Sequence, residues 1–195
     1  MDIALQFAPV TAGRWSDFEK LFGPSGACCG CWCVALRLPY AVRANMSAGD
    51  RRDYMRARIE SGPPPGILGY SDREPIAWVQ VGPRADVPQF NSPRTVSRPL
   101  EQSEAQDAGI WAVSCFFLSS RWRGRGLSHH MLAAAIDHAR AGGARCLDAC
   151  PIDHAKQPKS VALYIGATAI FDATGFEIVA RRKDGRPLMR LDLAQ

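Results

Sequence analysis

Residues 110–118, rich in Trp, Val and Phe and free of charge, run through Ser119-Ser120-Arg121-Trp122-Arg123-Gly124-Arg125-Gly126-Leu127-Ser128 into a helical pattern. An uncharged run of that kind reads as a strand buried on both faces. Leu127, Met131, Ala134, Ala135 and His138 then fall on one helix face, with Leu132, Ile136 and Ala139 on a second, so the helix is covered on two sides. Strand, glycine turn and helix start together make an anion-binding arrangement. Backbone N–H groups point outward there, the helix dipole adds partial positive charge, and glycines let an anion approach the main chain. Arg121, Arg123 and Arg125 suit a pyrophosphate. The alternative is a basic turn on a solvated face. Other phosphate loops fit worse, because no Gly-Lys-Ser/Thr follows and the third glycine of the dinucleotide fingerprint is missing. Neither a Gly-x-Ser-x-Gly elbow nor His-Glu-x-x-His occurs.

Around this unit the chain reads as one domain over residues 1–195, with 47 % hydrophobic and 22 % charged residues. Residues 3–7 read as an edge strand, and Trp15, Phe18, Leu21 and Phe22 as a helix stopped by Gly23-Pro24. A Cys- and Gly-rich loop spans 26–33, and a polar helix spans 47–60. Strands over 67–70 and 75–81 are joined by a short turn. Residues 83–106 are Pro-rich and polar, a long surface excursion of the kind that is often functional. A short strand over 145–150, a helix over 161–173 and a hairpin of 176–181 with 187–193 complete the chain. The order is β-α-α-β-β-β-α-β-α-β-β, a mixed sheet with helices on both faces.

The glycine turn resembles the signature of the GNAT superfamily of N-acetyltransferases, Arg/Gln-x-x-Gly-x-Gly/Ala after the fourth strand. Arg123-Gly124-Arg125-Gly126-Leu127-Ser128 matches it with Ser at the last position. The family's second signature, Asn-x-x-Ala-x-x-Leu-Tyr-x-x-x-Gly-Phe, is matched at Ala167, Gly175 and Phe176, with Ile170 for Leu. Tyr164 and Phe171 stand where the family has Asn and Tyr. The resemblance covers residue 67 to the end. Gly30-Cys31-Trp32-Cys33 also resembles a Cys-Trp-Cys element of one bacterial branch. The resemblance implies an α+β acyl-CoA N-acyltransferase fold with a splayed, mostly antiparallel sheet. It further implies acetyl-CoA as donor and direct attack by an acceptor amine. The pantetheine arm would lie between the fourth and fifth strands and pair with backbone near Phe116 and Leu118. Arg121, Arg123, Gly124, Arg125, Gly126 and Ser128 would hold the phosphates, with Tyr164 and Phe171 along the arm. The thioester carbonyl would accept a strand N–H.

The resemblance places Asp148 beside the acceptor, where desolvation would raise its pKa toward that of a general base. The alternative is an Asp that caps or pairs with Arg. Asp153, His129 and His130 are other candidates. Phe171 cannot donate a proton, so Tyr164, two helical turns earlier, is either the general acid or a pantetheine contact. Trp32 and Trp111 are read as core or as borders of the acceptor pocket. Seven cysteines exclude a complete disulfide framework, and with no signal segment they read as thiols in a cytoplasmic protein. Cys28 and Cys31 have metal spacing, but no second pair follows, and Cys146, Cys150 and His154 suit a helix face better than a strand. No metal is expected.

No uncharged stretch, residues 108–120 included, is long enough to span a bilayer. A net charge of +5 favours anionic partners, but the arginines of the turn already account for a pyrophosphate, so nucleic acid is disfavoured. A homodimer is left open. Two other readings stand beside the enzyme: a CoA-binding module without turnover, and a tRNA-associated acyl or aminoacyl transferase.

Overall fold

A computed structural model describes residues 5–153 and 164–194. Its strands are β1 (Leu5–Pro9), β2 (Gly66–Ser71), β3 (Glu74–Pro83), β4 (Ile110–Leu118), β5 (Cys146–Ala149), β6 (Glu177–Arg181) and β7 (Pro187–Asp192). They form one seven-stranded sheet in the order β1-β2-β3-β4-β5-β7-β6. Only β4 and β5 run parallel. β1 is the edge strand expected; it runs on to Pro9, and residues 3–4 of the expected strand lie outside the described residues. Between β2 and β3 the chain reverses through Asp72 and Arg73, both left-handed (φ 49° and 65°), as a tight hairpin between twisted strands requires.

Helices cover both faces. On one side lie α4 (Leu127–Ala141) and α5 (Thr168–Asp172), over a core that includes Ile67, Val79, Val113, Leu132 and Phe171. On the other, α1 (Trp15–Phe22) and α3 (Ala48–Ser61) enclose Phe18, Trp32, Met55, Leu68 and Trp78. Ser47 starts α3 through a capping box with Asp50, which satisfies two end N–H groups reciprocally. A short helix absent from the sequence reading, α2 (Tyr40–Ala44), precedes α3. The helix expected over 161–173 is shorter: α5 begins at Thr168, and 161–163 lie outside the described residues. Tyr164 therefore sits in a turn before α5 and does not share a helix face with Phe171.

Two features of β4 shape the site. Its pairing with β3 slips by one residue, Gln80 facing Cys115 and Val81 facing Val113, so Ser114 forms a bulge. Bulges bend a strand and re-aim its side chains. The pairing of β4 with β5 ends at Val113 and Ala149, while β4 continues to Leu118. The two strands part there, so the second half of β4 is not paired with β5.

Candidate functional site

At the end of β4 the chain enters the glycine turn. Gly124 and Gly126 are both left-handed (φ 75° and 73°), a conformation that costs other residues about 1–2 kcal/mol. A Cβ on either would meet nothing within 4 Å, so the space before the turn is open. The fifteen-residue α4 starts at Leu127; His129 N–H bonds the Gly126 carbonyl at 3.3 Å, while the N–H groups of Leu127 and Ser128 have no carbonyl of their own turn to bond. An open turn at a helix N-terminus of this kind can receive an anion. Of its arginines, Arg121 pairs with Glu74 at 2.6 Å, Arg123 Nε donates to the Leu118 carbonyl at 3.0 Å, and Arg125 stacks on Trp122 at 5.1 Å. All three are exposed, and Ser128 lies half-buried in the first turn of α4.

The Phe116 N–H, aimed into the parting of β4 and β5, donates to the Tyr164 carbonyl at 2.5 Å. The main chain at 164–167 bridges the opening, since Ile152 N–H also donates to the Gly166 carbonyl at 2.9 Å. A ligand carbonyl on Phe116 has to take over the bond held by Tyr164.

Beside the bulge, on the face of α1 and α3, opens a cavity of about 420 Å³. Gln80, Ser114, Cys115 and Phe117 line its sheet side, Tyr164 and Ile165 one edge, and the Cys-rich segment the opposite wall. That segment is a π-helical turn over Gly26–Gly30 with left-handed Ala27, Cys29, Trp32 and Cys33. Aromatic packing holds the strained turn. Trp32 stacks on Phe22 at 5.6 Å, and a Cβ on Gly26 would strike the Trp32 indole at 2.3 Å. The Trp78 indole N–H donates to Cys33 Sγ at 3.2 Å, and Cys33 Sγ donates to Cys115 Sγ at 3.4 Å. The contact with Cys115 and complete burial push the Cys33 thiol well above its ordinary value, and burial pushes Cys31 up. Both are protonated at neutral pH and line the cavity as apolar thiols.

Several expectations change. Asp148 is wholly buried and does not line the cavity. Arg84 Nη1 donates to its Oδ2, and Arg190 spans both oxygens at 2.7 and 2.9 Å. With both oxygens occupied by guanidinium donors it anchors an ion-pair cluster, the Arg-paired alternative of the sequence reading. Phe171 is fully buried between Phe116 and Phe176 under α4, on the opposite face of the sheet from the cavity. Trp32 is a core residue of the aromatic cluster. Trp111 packs on His138 of α4, its indole N–H donating to the Ala108 carbonyl at 3.0 Å. Neither tryptophan lines the cavity. His129 and His130 are exposed on α4, and His154 lies outside the described residues. Among the described residues no group of three His, Cys, Asp or Glu side chains is placed to hold a metal ion.

Sequence reasoning missed Gln80, Arg43 and Arg51, which all line the cavity. A signal was present for one of them: Gln80 is the single polar side chain in the run 76–81.

Residues 36–166, more than half of the chain, match the acetyltransferase (GNAT) family model. The chain belongs to the GNAT acetyltransferase family. Among curated proteins none matches the sequence. Solved GNAT-type structures share the fold at low identity. One is yncA of Salmonella typhimurium, solved with its cofactor acetyl-CoA (14 % identity, TM-score 0.54, covering 100 % of this chain and 96 % of that one). Another is a GCN5-related N-acetyltransferase from Kribbella flavida (17 %, 0.54, 97 % and 98 %). A third is an acetyltransferase from Thermus thermophilus (18 %, 0.52, 98 % and 99 %). The GNAT fold accounts for the parallel β4–β5 pair, its parting and the glycine turn. Among the described residues no helix is long and apolar enough to cross a membrane.

Proposed function

We propose that this chain moves an acetyl group from acetyl-CoA to the amine of an acceptor seated in the cavity beside the β4 bulge. One observation carries the reading: β4 parts from β5 between an open glycine turn at a helix N-terminus and an apolar cavity. When bound, the CoA thioester supplies the activated acyl carbon. The backbone of the turn at 124–128 holds the pyrophosphate, and Arg123 and Arg125 add charge beside it. Phe116 N–H, once released from the Tyr164 carbonyl, donates to the acyl oxygen as negative charge develops there. Tyr164 lines the cavity and contacts the pantetheine arm.

Asp148 is not available as base, so the cavity itself must favour the reactive amine. Its apolar walls and the guanidinium groups of Arg43 and Arg51 disfavour a bound ammonium and thereby the proton that blocks attack. Phe171 in place of a hydroxyl-bearing residue favours one competing reading, a CoA-binding module that does not turn over.

The test is titration calorimetry with acetyl-CoA, together with assays of free CoA release across amines. Gly126→Glu is expected to abolish acetyl-CoA binding, because the side chain fills the open space and brings a like charge to the phosphates. Unchanged affinity would remove the phosphate-loop assignment, and donor binding without CoA release for any amine would favour the non-catalytic module.

A further inference from the structure

The cavity beside the bulge holds polar groups that the fold leaves unsatisfied. Gln80 is 2 % exposed, and among the described residues neither its carboxamide nitrogen nor its oxygen has a hydrogen-bond partner. A buried amide without partners costs stability, and an apolar residue of similar size would avoid that cost. On the opposite wall stand Arg43 and Arg51. Arg51 uses Nη1 on the Gly30 carbonyl (3.1 Å) and Nη2 on the Arg43 carbonyl (2.7 Å), and its Nε is buried with no partner among the described residues. The Arg43 guanidinium stacks on Tyr40 at 5.1 Å; among the described residues its buried Nε has no partner and no carboxylate pairs with it. Between these groups the walls are apolar: Phe22, Val34, Leu36 and Phe117. A volume of about 420 Å³ lies in the range of small-molecule sites and far below what a folded protein surface needs.

We infer that the acceptor is a small apolar amino carboxylic acid, its carboxylate held by Arg43 and Arg51 and its amine by Gln80. Guanidinium groups are the natural partners of a carboxylate, and the hydrocarbon or aromatic body of the acid matches the walls. Gln80 faces Cys115 across the strand pair, beside the bulge that aims Phe116 N–H, so its carboxamide oxygen accepts from the amine next to the acyl carbonyl. In the transfer the amine nitrogen forms a bond to the acyl carbon as the carbon–sulfur bond breaks. The proton lost by the amine ends on the CoA thiol, giving an N-acylated acid and free CoA with no other reactant. This inference rests on the acyl-transfer reading above.

Calorimetry in the presence of CoA, and CoA release from acetyl-CoA, test it with L-phenylalanine, L-methionine and 4-aminobenzoate, each against its primary amide. At least one acid is expected to bind and be acylated, with its amide weaker by about ten- to a hundredfold, the size of a charge-assisted hydrogen bond. Arg43→Met should erase that difference. Gln80→Leu should weaken the acid while raising the thermal midpoint of the free protein, a combination that a purely structural role does not produce. Equal use of acid and amide, an acid preference that survives Arg43→Met, a lowered midpoint in Gln80→Leu, or no binding by any of the acids would each overturn the inference. Acid binding that depends on Arg43 without CoA release would uphold the pocket and overturn the transfer reading. CoA release from amines regardless of carboxylate or Arg43 would do the reverse.

Discussion

A carboxylate inside a short apolar strand either stands alone and resists ionisation, or is paired and becomes an anchor; the residue type is the same in both cases. Asp148 shows the second outcome. Its hydrogen bond to Arg190 holds that guanidinium above its ordinary range, while burial lowers Arg84 and Asp148 pulls it partly back up. Asp148→Asn would leave the wholly buried Arg84 beside a neutral partner. Loss of one partner from a buried pair costs about 3–5 kcal/mol, so the variant is expected to unfold at markedly lower urea. A variant as stable as the parent, with an acidic limb missing from its pH–rate profile, would restore Asp148 as base. The sequence shows this aspartate and its apolar neighbours; its arginine partners, 64 and 42 residues away, are visible only in the fold.

Among the elements, the segment 83–106 departs most from its sequence pattern. Pro-rich and polar, it reads as a surface excursion, yet it packs against the sheet through buried Arg84, Asn91 and Ser97. Arg84 Nε donates to Asn91 Oδ1 at 2.9 Å, Arg84 Nη2 to the Ser97 carbonyl at 2.6 Å, and Asn91 Nδ2 back to the Arg84 carbonyl at 2.7 Å. Its far end is clamped by Glu104, whose two oxygens accept from Arg190 at 2.9 and 3.1 Å. Burial pushes the Glu104 carboxyl up, but the hydrogen bonds and charge of Arg190 outweigh it and hold the group below its ordinary value of 4.5. A depressed folded-state value means that the stabilisation is complete above about pH 4.5 and is lost as pH falls through the folded value. Thermal midpoints measured from pH 7 to pH 3 should therefore drop at the acidic end, and Glu104→Gln should flatten part of that drop. An identical acid profile in the variant would show that the clamp contributes nothing.

For the molecule as a whole, stability rests on two main apolar layers, one on each face of the sheet, and Cys33 belongs to the second as a protonated thiol. A chain with cores of this extent needs no metal staple. Its thermal midpoint is expected to be unchanged by a strong chelator, and stoichiometric zinc with unfolding on chelation would refute this. What the sequence determined by itself was the central unit, β4 with its glycine turn and α4. Every force that shapes it is local: the left-handed turn at Gly124 and Gly126, the charge-free strand and the two-sided apolar helix lie within thirty-two consecutive positions. The hairpin of β6 and β7 was legible for the same reason. Only the tertiary structure decided that β7 sits between β5 and β6, that β4 parts from β5 after Val113, and that Asp148 meets Arg84 and Arg190. It also decided that Gln80, Arg43 and Arg51 line one cavity. Those arrangements join residues far apart in the chain, and the energy that selects them comes from pairing and burial between elements, which leaves no periodic trace in either partner.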